Sequence, residues 1–190
     1  MRFKDEDKQE ALFKATIKVV NEIGFASSSV AKIAKEAGIS PATIYIYYKN
    51  KEDLLVSTYV DIKINLSQAL IKDFDHSQPI RDIFRKIWMN GFAYVSKHRE
   101  QFNFTEQFAN SPFSELVNKA ELEKYFESLA AVFQRGVREK ILKDVDFELF
   151  QIFVFHPMMI LSNKRLCSQV KLTEENIDRA FNMAWDAIKF

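Results

Sequence analysis

The sequence predicts an all-α fold, and three observations carry that reading. Only 4 Gly and 4 Pro stand among 190 residues, too few for the many sharp turns of a sheet protein. Eighteen Phe supply a large aromatic core. Through most of the chain apolar residues recur at helical rather than alternating spacing. One stretch dissents: Ile44-Tyr45-Ile46-Tyr47-Tyr48 is aromatic and β-branched throughout, the composition of a strand.

The elements follow in order. From about residue 5 to 23, Phe13, Thr16, Ile17, Val20 and Ile23 repeat with a period near 3.6 and predict an amphipathic helix. Gly24 ends it in a left-handed cap, leaving Phe25 to fold back on the last turn. Ser27, Ser28 and Ser29 offer N-cap hydroxyls to a second helix of about two turns. Its Val30, Ile33, Ala34 and Ala37 share one face, Lys32, Lys35 and Glu36 point outward, and Gly38 stops it. Ser40 is then an N-cap and Pro41 a first helical residue, where its fixed φ helps and its missing N–H costs nothing. So explicit a start makes 41–48 a helix, because context overrides propensity in a short segment. On it Ile44 and Tyr48 share the inward face.

Asn50, with Asp53 three residues on, caps a fourth helix over 51–72 that buries Leu54, Leu55, Tyr59, Ile62, Leu66 and Leu70. After the loop "DHSQP" (75–79), Pro79 opens a helix carrying Ile80, Ile83, Phe84, Ile87, Trp88 and Val95. "FANSPFSE" (108–115) interrupts the helical pattern, since the residue before Pro112 is pushed out of the α region. Helices over 115–141, 146–165 and 173–189 complete the chain, with Pro157 kinking the second and Thr173 capping the third with Asn176.

Composition excludes several classes. The lone Cys167 cannot form an internal disulfide, and no secretory leader pattern opens the chain, so a cytoplasmic protein is expected. The most apolar segment, 147–161, is too short to span a bilayer and carries Glu148, His156 and Pro157. His76, His98 and His156 have no Cys or carboxylate at ligand spacing, so no metal is expected. No nucleophile elbow, phosphate loop or catalytic carboxylate pair is present, so neither an enzyme nor a bound cofactor is expected. Net charge is +1, but residues 1–51 carry nine Lys/Arg against six Asp/Glu, an asymmetry that suits an anionic partner at that end.

Two short helices joined at a glycine, "SVAKIAKEAGISPATIYIYYKNK" (29–51), form a helix-turn-helix. Spacing alone fits a DNA-reading pair and a buried helical corner equally. The longer stretch "SSVAKIAKEAGISPATIYIYYKNKEDLL" (28–55) resembles the DNA-binding domain of the tetracycline-repressor (TetR) family of bacterial regulators. The likeness is carried by Ile33-Ala34, Ala37-Gly38-Ile39-Ser40, Tyr45-x-Tyr47-Tyr48 and Lys51-x-x-Leu54-Leu55. It implies a helix-turn-helix DNA-binding domain at 1–50 and a larger helical effector-binding and dimerisation domain at 51–190. Its third helix would enter the major groove, with Pro41, Ala42, Thr43 and Tyr47 at the bases and the methyls of Ala42 and Thr43 suited to thymine. Tyr45, Lys51, Ser28, Ser29 and Lys32 would hold phosphates. Two positions depart from the family: Tyr48 stands for a usual Phe, and Ile46 for a usually polar residue, so that Ile46 either meets a thymine methyl or packs on the first helix.

The resemblance further implies a homodimer formed through the C-terminal helices, a near-palindromic double-stranded operator and a small-molecule effector, here apolar or aromatic. Trp88, Phe92, Phe102, Phe104, Phe108, Phe126, Phe133 and Phe153 offer aromatic lining for such a pocket, and all of these but Phe102, with His156 beside Pro157, are the candidate pocket residues. Burial statistics assign most of these rings to plain core. A helical ligand-binding or protein-interaction module without operator binding is the alternative.

Overall fold

The computed structural model describes residues 2–73, 75–163 and 166–190, with side chains from residue 6. It is helical throughout, and among the described residues the only β pairing is an isolated antiparallel bridge between Leu142 and Lys189. The helices are α1 (Arg2–Ser27), α2 (Val30–Ala37), α3 (Pro41–Tyr47), α4 (Lys51–Leu70), α5 (Ile80–Lys97), α6 (Arg99–Ala109), α7 (Lys119–Lys124), α8 (Glu127–Arg138), α9 (Phe147–Val154), α10 (His156–Ser162) and α11 (Glu174–Ile188). None of them is long and apolar enough to cross a membrane. The all-α expectation holds, and the strand-like pentapeptide lies in a helix.

By packing the chain divides into two compact units, Met1–Ile64 with Glu100–Leu122, and Asn65–Arg99 with Glu123–Phe190. The first unit contains two cores. In one, Leu12, Ala15 and Val19 of α1 meet Ile33, Ala34, Ile44 and Leu54, with Tyr48 packed against them. In the other, Ile17 and Val20 of α1 meet Leu55, Ile62, Phe104 and Phe108, with Phe25, Tyr59 and Phe113 at its edge. Helix α1 is therefore buried along two stripes. The 3.6-residue period exposed only the stripe through residues 13, 17 and 20, and the expected inward Ile23 is 40% exposed. Asn21 ties α1 to α6: its amide donates to the Glu100 carbonyl (2.8 Å) and its side-chain oxygen accepts from Gln107 (2.9 Å).

Gly24 does break α1, though not in the left-handed region. At φ 75°, ψ 167° it occupies a conformation that only glycine adopts readily. The chain then turns so that Phe25 packs edge-on against Phe104 and Phe108.

The second unit is built on α5, whose Ile83, Phe84, Ile87, Trp88 and Phe92 are buried against rings from later helices. Phe150 of α9 lies 5.3 Å from Phe84 and 4.5 Å from Phe133 of α8, and Phe181 of α11 lies 5.9 Å from Trp88. Gly136 lets Leu142 close on α8, since a Cβ there would sit 2.5 Å from the Leu142 Cδ1.

Two long helices of the sequence reading are shorter pieces. Residues 115–141 split into the end of a 3-10 turn (Pro112–Leu116), α7 and α8, with Asn118 capping α7 and Phe126 leaving the helical region at φ −107°, ψ 7°. Residues 146–165 split into α9 and α10 at Phe155, because Pro157 has no N–H to continue the ladder. The helix opened at Pro79 ends at His98, where ψ is 44°, and α6 begins at once. Ser111 is extended before Pro112, as expected.

Candidate nucleic-acid interface

The second and third helices are positioned by caps that the sequence spells out. The Ser29 Oγ accepts from the Lys32 N–H (3.3 Å), and Gly38 ends α2 at φ 69°, ψ 27°, its N–H donating to the carbonyls of Ala34 and Lys35. The Ser40 Oγ accepts from the Thr43 N–H (3.2 Å) and lies 2.9 Å from the Thr43 hydroxyl. Beyond α3, Asn50 and Asp53 form a reciprocal cap: the Asp53 N–H donates to the Asn50 side chain and the Lys49 N–H to the Asp53 carboxylate, each at 2.8 Å.

Ile44 of α3 is fully buried in the first core, and Tyr48, the residue that caps the helix, is half-buried against it. Burial, and after it the negative charges of Asp61 and Asp53, push the Tyr48 phenol above its usual pKa, so it remains a neutral donor. Pro41, Ala42, Tyr45 and Ile46 lie on the exposed side, and Thr43 and Tyr47 are half-buried between the two. At 76% exposure Ile46 is not packed on α1, which removes one of its two expected roles.

The expected phosphate contacts divide. Ser29 and Lys32 are exposed at the start of α2, with the Lys32 ammonium donating to the Ser27 carbonyl (3.0 Å). Ser28 is 3% exposed, its N–H donating to the Gly24 carbonyl and its hydroxyl to the Phe25 carbonyl (2.8 Å). Both donors are used in closing the Gly24 turn, so Ser28 is corrected from a surface contact to a structural one. Lys51 is half-buried and donates to the same Phe25 carbonyl at 2.6 Å. This hydrogen bond locks the end of α1 to the start of α4. Lys51→Met is accordingly expected to cost about 2 kcal/mol in urea unfolding, the usual worth of a charge-assisted hydrogen bond. A stability unchanged by this substitution, with DNA affinity alone reduced, would leave Lys51 as a phosphate contact only. Lys49, which sequence reasoning passed over, is exposed directly after α3. Its signal was its place one residue beyond the third helix's closing Tyr48.

The candidate pocket residues divide between the two units. Phe104 and Phe108 are fully buried in the second core of the first unit, and Trp88, Phe92 and Phe133 are at most 3% exposed in the second. Phe126 is half-buried, His156 is exposed, and Phe153 is 49% exposed. Phe153 and His156 thus lie on the exposed sides of α9 and α10, away from the buried Phe150, Val154 and Met158. Among the described residues, two buried polar groups of the second unit have no hydrogen-bond partner, the Trp88 indole N–H and the Ser162 hydroxyl.

A long first helix and two short capped ones around one small core, with the partly apolar third helix on the surface, define a helix-turn-helix protein. Comparison with known proteins agrees. Residues 12–58 match the family model for bacterial regulatory proteins of the tetR family, and residues 79–189 match that for a tetracyclin repressor-like C-terminal domain. The chain belongs to the TetR family of transcriptional regulators. A crystal structure of a TetR family regulator from Marinobacter aquaeolei VT8 is 35% identical and matches 100% of this chain and 99% of its own, with a TM-score of 0.91. An uncharacterized HTH-type transcriptional regulator of Haemophilus influenzae is 30% identical over 112 residues, 59% of this chain and 60% of that protein. The fatty acid metabolism regulator protein of Bacillus subtilis is 25% identical over 152 residues, 78% of each chain.

Proposed function

We propose that the chain is a homodimeric repressor that binds a near-palindromic DNA operator through α2 and α3 and is released by a small apolar effector. The division by role at residue 50 belongs to this proposal. The observation that carries it is the exposed side of α3, held on a buried Ile44, with the exposed cations Lys32 on α2 and Lys49 just after α3. Ser29, Lys32, Tyr45, Lys49 and Lys51 are assigned to phosphates, and Pro41, Ala42, Thr43, Ile46 and Tyr47 to the groove. Dimerisation is supported by side chains that α9, α10 and α11 leave exposed: Leu149, Ile152, Phe153, Ile160 and Met183 are 42–76% accessible. A dimer would set two α3 helices about 34 Å apart, one turn of DNA, and an effector acts by favouring an arrangement that misses this spacing. The name of the B. subtilis relative supports an apolar, fatty-acid-like effector.

The test is binding of the full chain to duplex DNA across a range of salt. Each neutralised phosphate adds about −0.9 to the slope of log affinity against log salt, so a slope steeper than about −3 is expected. A slope near zero would count against operator binding and favour a ligand-binding or interaction module. Addition of a long-chain fatty acid or its coenzyme A thioester is expected to release the DNA.

A further inference from the structure

We propose that Ile46 and Ala42 read thymine methyl groups, so that each operator half-site carries a thymine at a fixed position beneath α3. This rests on the operator-binding reading above and adds the chemistry by which that operator is chosen. Base recognition by helices ordinarily uses guanidinium, ammonium, amide or carboxylate groups against base edges. Residues 41–48 contain none of these. Their small hydroxyl, on Thr43, is half-buried and already paired at 2.9 Å with the hydroxyl of Ser40. What α3 presents outward is carbon: Pro41, Ala42 and Ile46, with the 57%-exposed Tyr45 alongside.

Ala42 and Ile46 are four residues apart and thus lie one above the other on the same side of the helix. Both are exposed, Ile46 to 76%. An aliphatic side chain held out from a two-turn helix gains nothing from water and gains free energy only from an apolar partner. In the major groove the one apolar group a base pair offers is the thymine 5-methyl. The surrounding charge suits a nucleic acid, since residues 1–51 carry nine Lys/Arg against six Asp/Glu. Cytosine presents a hydrogen at the same place, so the surface separates thymine from cytosine by one methyl contact. Burial of that methyl is worth about a fourfold change in affinity.

The experiment selects duplexes from a randomised pool with the full-length chain, then remakes one selected duplex with deoxyuridine in place of thymidine. This removes only the methyl groups and leaves the protein untouched. Each methyl under α3 is expected to contribute about fourfold to affinity. Ile46→Ala is expected to bind the thymine duplex about as weakly as the unaltered protein binds the deoxyuridine duplex, to lose most of its sensitivity to deoxyuridine, and to keep its affinity for random DNA at low salt. Because Ile46 is exposed, thermal unfolding of the variant should match that of the parent. Equal affinity of the parent for thymine and deoxyuridine duplexes overturns the methyl reading while operator binding stands. Undiminished deoxyuridine sensitivity in Ile46→Ala also overturns it, by giving the methyl to another residue. Failure of any duplex to be enriched, with Ile46 covered instead by a second copy or another protein, overturns both readings.

Discussion

Phe108→Ala is expected to destabilise the protein by about 4 kcal/mol, read as a fall in the urea midpoint at unchanged slope. The ring is fully buried on α6. It stacks on Tyr59 at 4.4 Å with 14° between planes, and meets Phe25 edge-on at 6.0 Å. Truncation leaves a void that α1, α4 and α6 would have to collapse together to fill, so the full transfer and cavity terms both apply. A domain of this size has about 5–15 kcal/mol in total, so the variant should be marginal at room temperature. The measurement also separates two roles. Had Phe108 lined an effector pocket, as its sequence context suggested, its removal would enlarge an existing space and cost under about 1 kcal/mol while altering the effector response. Phe153→Ala is the control: with half its surface already in water it should change monomer stability by no more than about 0.5 kcal/mol.

These two phenylalanines show where sequence reading stops. Both are aromatic candidates for the pocket, and composition treats them alike. One lies in a core formed by α1, α4 and α6, elements far apart in sequence, and the other on the exposed side of α9. Long-range packing decides between them, and periodicity does not report it. Local chemistry fared better. Ser29, Gly38, Ser40, Pro41, Asn50, Asp53 and Thr173 each do what their residue type dictates, because a cap is satisfied within three or four residues. The helix over 41–47 was legible through its caps even though its propensity argued for a strand. Ser28 was misplaced for a related reason. Three successive serines are equivalent as caps, and only the turn at Gly24 shows that one is buried, one caps and one lends its carbonyl to Lys32. The split of residues 115–141 had a visible cap in Asn118 but no proline at Phe126, so the break there was hidden.

Ile44→Ala should cost about 3 kcal/mol and abolish sequence-specific DNA binding together. Ile44 is the only fully buried residue of α3, seated among Leu12, Ala15, Val19, Ile33, Ala34 and Leu54. A seven-residue helix has no stability of its own, since nucleation is costly and few hydrogen bonds repay it. Its place on the surface is therefore set by one side chain, with Tyr48 in support. Ile46, two residues on, has the same chemistry and the opposite exposure. The pair forms a double dissociation: Ile44→Ala should lower the urea midpoint and lose the operator, whereas Ile46→Ala should hold its midpoint and lose only the preference among sequences. Ile44→Val, which keeps most of the buried volume, should cost about 1 kcal/mol and retain specific binding. If Ile44→Ala bound operator as tightly as the parent at a temperature where both are folded, α3 would not depend on this contact for its position. The third helix would then have to be held by Tyr48 and the Ser40 cap.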